Sequence, residues 1–311
     1  MAVMIKTVNL TKRYGTLVAL ANLNLEIQEG DCFGFIGPNG AGKTTTIKIL
    51  ATLLQPTWGE ARVCDYVVGY QSRQIRPLIG YVPDYFGAYE DMLVQEYLEF
   101  FAAAYNINGT ARTKVVGDVL ELTDLAYKRD APVDGLSRGM KQRLSIARTL
   151  LHDPKVLFLD EPAGNLDPRA RIELRELLKT LRNMGKTILI SSHILPELQD
   201  MCNTVGVIER GELIYSGPWV DLVKKVRTGT VIHVSVASHQ EQAAAALSQE
   251  PTVESVNNVN GYIEVALKDG VSDYSFVPQK LVAAGYRLTM LKEEEVNLET
   301  AFMRLTKGIV Q

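Results

Sequence analysis

A glycine-rich stretch near the start of the chain carries the residues best suited to bind phosphate. Residues 37–44 read Gly-Pro-Asn-Gly-Ala-Gly-Lys-Thr and match the pattern G-x-x-x-x-G-K-[ST]. In such a loop, glycines let backbone N–H groups turn towards phosphate oxygens, the lysine neutralises phosphate charge, and the next hydroxyl binds Mg²⁺. An ordinary glycine-rich turn is the alternative, but an apolar run precedes the loop and a helical pattern follows it. The predicted phosphate-binding residues are Asn39, Gly40, Ala41, Gly42, Lys43, Thr44 and Thr45.

Two acids at the end of another apolar run would complete such a site. Asp160 and Glu161 follow the run 156–159. Because the carboxyl end of a buried parallel strand faces the ligand crevice, Asp160 is predicted to hold Mg²⁺ through water. Glu161 is predicted to polarise a water for attack on a γ-phosphate. Two acids after a strand are also common as solvated groups, so this assignment depends on the glycine-rich loop.

A second anion site is predicted at the start of a later helix. Ser137 and Gly139 precede Leu144, Ala147 and Leu151, which recur at helical spacing. Ser137 is a suitable N-cap, and a free helix start with a serine hydroxyl and a glycine amide attracts anions. Simple capping of the helix explains Ser137 equally well when this segment is considered alone.

The elements that must position these residues alternate between short apolar strands and helices. Strands are predicted at 32–36, 156–159 and 188–190, which indicates a mostly parallel α/β sheet. The helix after the glycine-rich loop is predicted to continue until Pro56 and Gly59 stop it.

A further helix is predicted to start at Asp167 and Pro168, to bury a leucine stripe and to end at Gly185. The stretch 93–151 is rich in leucine, alanine and charge, so it is predicted to form an inserted helical lobe. After about residue 225 the pattern changes to the order βαββαβα, with a hairpin at Asn260-Gly261 and a last helix near 298–305.

The order of these motifs resembles the nucleotide-binding subunit of an ABC transporter over roughly residues 1–225. The resemblance implies an α/β P-loop NTPase of ABC type, with a RecA-like core, an antiparallel β subdomain and a helical lobe at about 85–152. The segment 229–311, with its sequence Asn-Leu-Glu-Thr-Ala-Phe at 297–302, resembles the appended domain of subunits that serve ABC-2-type exporters. This segment is predicted to fold as a small α+β ferredoxin-like domain.

The resemblance also implies roles for single residues. Tyr14 matches the aromatic that stacks on adenine, although a strand-end tyrosine often packs on the core. Ser137 and Gly139 would contact the γ-phosphate held by a second subunit. Asp167 matches an aspartate that crosses the same interface, and capping is its alternative role. His193 matches the histidine that senses the γ-phosphate, and a structural histidine is the alternative. Glu161 and His193 are therefore the predicted catalytic pair.

Two departures from the family pattern concern the nucleotide site. Arg138 and Met140 replace a glycine and a glutamine of the signature sequence. Asp84 stands where the family has its Q-loop glutamine. A carboxylate can ligate Mg²⁺, so Asp84 joins Thr44 and Asp160 as a predicted metal-binding residue, although it adds negative charge near a triphosphate.

The resemblance and the composition together limit the partners. ATP and Mg²⁺ are the implied cofactors, and the implied partners are a second copy or homologous ATP-binding subunit and a transmembrane permease. Tyr85, Phe86 and Tyr89 are candidate permease contacts, with burial in the core as the alternative. The 311 residues carry a net charge of −3, which lacks the basic excess of a nucleic-acid binder, so no nucleic acid is expected.

No apolar run is long enough to span a membrane, and the cysteines Cys32, Cys64 and Cys202 are far apart. The chain is therefore expected in the cytoplasm, bound to the inner face of the cell membrane through its permease. A soluble ABC-type ATPase acting on ribosomes or nucleic acid is the alternative, but only one P-loop and a short helical insert are present. A P-loop kinase would leave Ser137 and Gly139 unexplained.

Overall fold

The computed structural model describes residues 2–85, 87, 91–226, 230–259, 261–268, 270–294 and 302–303. The chain divides into two compact units, one of which takes in Met1–Trp219 and the other Val220–Leu305. Within the described part, no helix has the length and apolar character needed to cross a membrane. The predicted contacts Phe86 and Tyr89, and most of the predicted last helix at 298–305, lie outside the described residues.

The first unit contains both strands and helices. Its elements are β1 (Val3–Tyr14), β2 (Leu17–Gln28), β3 (Cys32–Ile36), α1 (Lys43–Leu50), β4 (Trp58–Val63), β5 (Tyr66–Val67), α2 (Ser72–Ile75), β6 (Ile79–Val82), α3 (Val94–Ala104), α4 (Gly109–Leu122), α5 (Arg138–Leu150), β7 (Val156–Asp160), α6 (Pro168–Asn183), β8 (Thr187–Ser192), α7 (Leu195–Met201), β9 (Thr204–Glu209) and β10 (Glu212–Pro218).

A six-stranded sheet forms the centre of this unit, in the order β10-β9-β3-β8-β7-β6. Neighbouring strands run parallel except β10, which pairs with β9 antiparallel. Every residue of β3, β7 and β8 is buried, as expected for parallel strands covered on both faces. The carboxyl ends of these three strands lead directly into the predicted phosphate-binding loop, the Asp160–Glu161 pair and His193.

A second, four-stranded antiparallel sheet has the order β2-β1-β4-β5. Along β2, Leu23, Leu25 and Ile27 are buried, while Asn24 and Glu26 between them are exposed. This alternation buries one face of the sheet. The buried side chains share a core with α1 and with Phe35 of the central sheet, so β1 and β2 are fixed beside the glycine-rich loop.

Helix α1 ends earlier than the sequence pattern predicts. It stops at Leu50, not at Pro56 or Gly59, because Thr52 adopts a left-handed conformation with φ of 61°. The N–H of Thr52 then donates to the carbonyl of Ile49, and the N–H of Leu53 donates to the carbonyl of Lys48. This pattern closes a helix end by satisfying its last carbonyls.

The helical lobe is inserted between β6 and β7 and consists mainly of α3, α4 and α5, which pack against one another. The Arg148 guanidinium on α5 donates to the Tyr97 hydroxyl on α3 at 3.2 Å. An isolated bridge between Leu93 and Pro132 closes the base of the lobe. The lobe therefore carries the start of α5, where Ser137 lies.

The second unit has its own sheet and its own core. After α8 (Trp219–Val226), the chain forms β11 (Val231–Val236), α9 (Gln240–Leu247), β12 (Val253–Val259), β13 (Tyr262–Leu267), α10 (Phe276–Ala283) and β14 (Leu288–Glu293). The sheet order is β12-β13-β11-β14, with all neighbours antiparallel, which is the ferredoxin-like arrangement. Gly261 (φ of 90°) lies between β12 and β13, as the hairpin prediction requires; Asn260 lies outside the described residues.

Candidate nucleotide-binding site

The glycine-rich loop joins the end of β3 to the start of α1. Gly42 has a φ of 109°, and a side chain there would bring a Cβ within 2.6 Å of Leu20 Cδ2 and 2.7 Å of the Ala19 carbonyl oxygen. Glycine is therefore required for both conformation and space. The Lys43 ammonium is buried, and it donates to the carbonyls of Gly37 at 2.7 Å and Pro38 at 3.2 Å.

No side chain in the described part of the molecule caps the N-terminus of α1. The first N–H groups of a helix lack partners within the helix, and they carry the positive end of its dipole. With the Lys43 ammonium beside them, they form a suitable cradle for phosphate.

A cleft of about 470 Å³ opens over this loop. Its walls come from the β1–β2 sheet, the glycine-rich loop and the turns after β6, β7 and β8. The lining residues are Tyr14, Leu17, Ala19, Asn39, Gly40, Ala41, Gly42, Lys43, Thr44, Thr45, Asp84, Glu161, Gly164, Asn165 and His193. Tyr14 is 46% exposed, so it faces the cleft instead of packing into the core.

Asp160 lies behind the cleft, buried at the end of β7. Its Oδ1 accepts hydrogen bonds from Thr44 Oγ1 at 3.0 Å and from Ser191 Oγ at 2.6 Å. Burial raises the pKa of the Asp160 carboxyl; the two hydrogen bonds act in the opposite direction, and the charges of Glu161 and Asp84 add to the rise. A buried carboxylate surrounded by other acids favours the approach of a cation.

Glu161 is held in an uncommon backbone conformation, with φ of 50°. Its N–H donates to Ser191 Oγ at 2.9 Å, and its side chain turns into the cleft. There Oε2 lies 2.8 Å from His193 Nδ1, and Oε1 lies 3.4 Å from Lys43 Nζ. The structure thus brings the two predicted catalytic side chains into direct contact beside the phosphate loop.

Asp84 also faces the cleft, from the turn after β6. Burial raises the pKa of the Tyr81 hydroxyl to about 12, with smaller contributions from the charges of Asp160 and Asp84. The charge of Asp84 also raises the pKa of the Asp160 carboxyl, so the two groups are close enough to interact. Tyr85, the next residue, is 81% exposed, so it is not buried in the core.

Ser137 and Gly139 are not among the residues that line this cleft. Ser137 caps α5, and its Oγ accepts the N–H of Met140 at 3.3 Å. Asp167 caps α6 by accepting the N–H groups of Arg169 and Ala170, both at 3.0 Å. The capping predictions are confirmed, and the two capped ends do not contribute to the cleft of their own subunit.

Ser191 is a site residue that the sequence motifs did not single out. Its hydroxyl bonds both Asp160 and the Glu161 backbone, so it sets the orientation of the acidic pair. It reaches them because it lies opposite Asp160 in the β7–β8 register. The sequence signal that could have identified Ser191 is its position two residues before His193, a predicted catalytic residue.

Comparisons with known proteins agree with this geometry. The family model described as "ABC transporter" matches residues 20–164. The Linearmycin resistance ATP-binding protein LnrL of Bacillus subtilis (strain 168) is 30% identical over 308 residues, covering 97% of this chain and 98% of the relative. The Nod factor export ATP-binding protein I of Burkholderia orbicola (strain AU 1054) is 41% identical over 209 residues, covering 67% of this chain and 69% of the relative.

A solved structure with the same fold is a dimeric ATP-binding cassette in a post-hydrolysis state, bound to ADP and Pi. It is 28% identical, with a TM-score of 0.63, over 69% of this chain and 98% of the other. The full-length match to LnrL, the family model and the cleft over the glycine-rich loop support one assignment. The chain belongs to the ABC transporter family, as an exporter-type ATP-binding subunit that hydrolyses ATP.

Proposed function

We propose that this subunit binds ATP in the cleft, closes head to tail on a second ATP-binding subunit and drives export through separate transmembrane permease subunits. The relatives named for resistance and for export support the direction of transport. In this proposal the subunit works in the cytoplasm, on the inner face of the cell membrane, where its permease holds it. Tyr85 is the exposed aromatic that we assign to the permease contact.

The observation that carries the proposal is the position of the Glu161 carboxylate. It faces the cleft beside the phosphate loop, within hydrogen-bond distance of His193. A carboxylate in this place accepts a proton from water as the water oxygen bonds to the γ-phosphorus. The bond from that phosphorus to the β–γ bridging oxygen breaks, and ADP and phosphate result.

Lys43 and Glu161 form an ion pair at the cleft. Lys43 Nζ lies 3.4 Å from the Glu161 carboxylate, and both side chains are largely buried. A γ-phosphate offers Lys43 a stronger partner because it carries more charge. We propose that nucleotide binding draws Lys43 away and leaves the Glu161 carboxylate free to act as the base, with His193 orienting it and contacting the γ-phosphate.

Thr44 and Asp160 are the residues that we propose for Mg²⁺, with Asp84 as a third oxygen donor. A hydroxyl and a buried carboxylate 3.0 Å apart suit a hard cation. Among the described residues, no group of three or more His, Cys, Asp or Glu side chains could hold a metal. Phosphate oxygens and waters must therefore complete the coordination shell of the ion, and the ion would neutralise phosphate charge.

The remaining roles follow from where the residues lie. Tyr14 faces the cleft from the end of β1, so we assign it to the adenine ring. Ser137 and Gly139 lie outside that cleft, so we assign them to the γ-phosphate bound by the second subunit. This arrangement requires two subunits for each complete site.

The proposal is tested by separating binding from turnover. Lys43→Ala should abolish ATP binding, because it removes the cation of the phosphate loop. Glu161→Gln should keep ATP binding, lower turnover by about a hundredfold or more and accumulate an ATP-bound dimer. Equilibrium binding, phosphate release and sedimentation would measure the three effects.

Matched controls use exposed residues of the same type. Lys48→Ala, on the exposed side of α1, should leave binding unchanged, and Glu254→Gln on β12 should leave turnover unchanged. A Glu161→Gln protein that hydrolysed ATP at the parent rate would disprove the role of Glu161 as base.

A further inference from the structure

The helix that starts at Ser137 carries a buried arginine that none of these roles uses. Arg143 lies in the second turn of α5, and its side chain is only 6% exposed. A buried guanidinium is costly unless charged partners compensate it. Its partners therefore indicate what it holds in place.

Two carboxylates compensate the charge, one from each side of α5. Nη1 donates to Asp124 Oδ2 at 3.0 Å, and Nη2 lies 3.4 Å from Glu173 Oε2. Asp124 follows α4 in the helical lobe, whereas Glu173 belongs to α6. Asp124 is 77% exposed and Glu173 is 32% exposed, so water screens the first pair more than the second.

A second contact joins α5 to α6 one turn nearer their N-termini. A Cβ added at Gly139 would lie 2.6 Å from Ala170 Cβ, so the two backbones approach closely there. Gly139 and Arg143 are four residues apart on α5, and Ala170 and Glu173 are three apart on α6. Residues at these spacings share one face of a helix. The two helices therefore meet at successive turns.

These contacts hold two capped helix ends next to each other. Ser137 caps α5 two residues before Gly139, and Asp167 caps α6 three residues before Ala170. Neither Arg143 nor Glu173 lines the cleft of its own subunit. Loss of their contact would therefore shift the ends that face a second subunit and leave the nucleotide cleft as it is.

We propose that Arg143, through Glu173, is a positioning residue. It fixes Ser137 and Asp167 relative to each other, so that both helix ends face the nucleotide of the second subunit. This inference rests on the proposed ATP-dependent dimer. It separates two properties of the subunit: ATP affinity of the cleft depends on the phosphate loop, whereas closure of the dimer depends on the Arg143–Glu173 contact.

The experiment compares the loss of the Arg143–Glu173 contact with the loss of the Arg143–Asp124 contact, in the Glu161→Gln background, in which ATP is expected to be consumed only slowly. Sedimentation measures the dimerisation constant with Mg-ATP, and a fluorescent ATP analogue measures affinity at subunit concentrations too low for dimers. Adding Glu173→Gln should weaken dimerisation by about tenfold. Adding Asp124→Asn should change it less than about twofold, because the Asp124 carboxylate is largely exposed and water screens its interaction with Arg143.

Asp124→Asn is a matched control, since asparagine tolerates the φ of 52° at that position as well as aspartate does. Both variants should keep the parent affinity for the ATP analogue. Arg143→Lys retains the positive charge but has no guanidinium to reach both carboxylates at once. Adding it should weaken dimerisation less than adding Arg143→Met does.

Three outcomes would overturn the inference. Equal dimerisation constants for the Glu173→Gln and Asp124→Asn proteins would mean that Glu173 has no positioning role. An ATP affinity that fell in parallel with dimerisation would make the contact one of general stability. If the Glu161→Gln protein itself formed no dimer with ATP, the proposed function would fail, and the inference would fail with it.

Discussion

Asp84 adds a third acid to a site in which Glu161 lines the cleft and Asp160 lies buried behind it. Near a triphosphate, this extra charge repels unless a cation lies between them. We therefore expect ATP binding without Mg²⁺ to be weak, and Asp84→Asn to strengthen it by about fivefold. The same substitution should reduce the gain in affinity that Mg²⁺ brings. Titrations of ATP affinity against Mg²⁺ concentration for both proteins would measure the two effects.

Asp91→Asn is the control for this prediction, since Asp91 is exposed and does not line the cleft. Its titration should match that of the parent. If the Asp84→Asn curve also matched the parent curve, Asp84 would have no part in metal binding, and Thr44 and Asp160 would be the remaining protein donors.

Residues were predictable where the chemistry dictates their type. A loop that surrounds phosphate needs N–H groups, a cation and glycines, and the pattern at 37–44 provides all three within eight positions. Ser191 was not predictable in this way, because its role depends on which residue of β7 lies opposite it. Strand register is a long-range property, and a serine at a strand end is compatible with many registers.

At the scale of elements, the ends were harder to predict than the elements themselves. The apolar spacing of Ile47, Leu50 and Leu54 suggested a longer α1. Leu54 packs on the core from beyond the helix, and the left-handed residue that ends α1 is Thr52, not glycine. A threonine carries no signal for that conformation. By contrast, Asp167 before Pro168 predicted the start of α6, because an N-cap and a first-turn proline act locally.

His152, just after α5, links the helical lobe to the edge of the central sheet. Its Nε2 lies 2.8 Å from the carbonyl of Ile79 at the start of β6, and its ring stacks on Tyr105 with centroids 4.2 Å apart. Burial lowers the pKa of His152 below its ordinary value of 6.5, against the opposing effects of the Ile79 hydrogen bond and Asp153. Lys186 adds to the lowering. The folded protein therefore favours the neutral ring.

A pH dependence of stability follows from this shift. Between the lowered pKa and 6.5, the unfolded chain binds more protons at this position than the folded chain does. The contribution of His152 to the free energy of unfolding is therefore complete above pH 6.5 and falls as pH decreases below that value. The free energies of unfolding of the parent and of His152→Gln, measured with urea, should differ at neutral pH. The difference should become smaller as the solution is acidified. A constant difference between the two proteins across that range would contradict the assignment.

At the scale of the whole molecule, the two units have separate hydrophobic cores. The core around α1 draws on residues between Met4 and Leu213, whereas the second core draws on residues between Ile232 and Leu291. The ferredoxin-like order of the second unit was predictable in part, because β11 and β13 alternate in burial and Asn260-Gly261 marks the hairpin before β13. We propose that residues 1–225 form the ATPase domain and that residues 229–311 form an accessory domain, which regulates or dimerises and does not catalyse.

This division predicts that the ATPase domain folds and binds Mg-ATP without the accessory domain. A chain ending at Val226 keeps α8 and every residue that lines the nucleotide cleft, since these lie between Tyr14 and His193. It also keeps the whole core around α1. We expect it to fold and to bind Mg-ATP with an affinity within about twofold of the parent, because no phosphate-binding turn is lost. Calorimetric titration measures the affinity, and Lys43→Ala in the shortened chain verifies that the same site is occupied. A folded, soluble truncation that failed to bind nucleotide would mean that the second unit supports the cleft, because the truncation removes no lining residue.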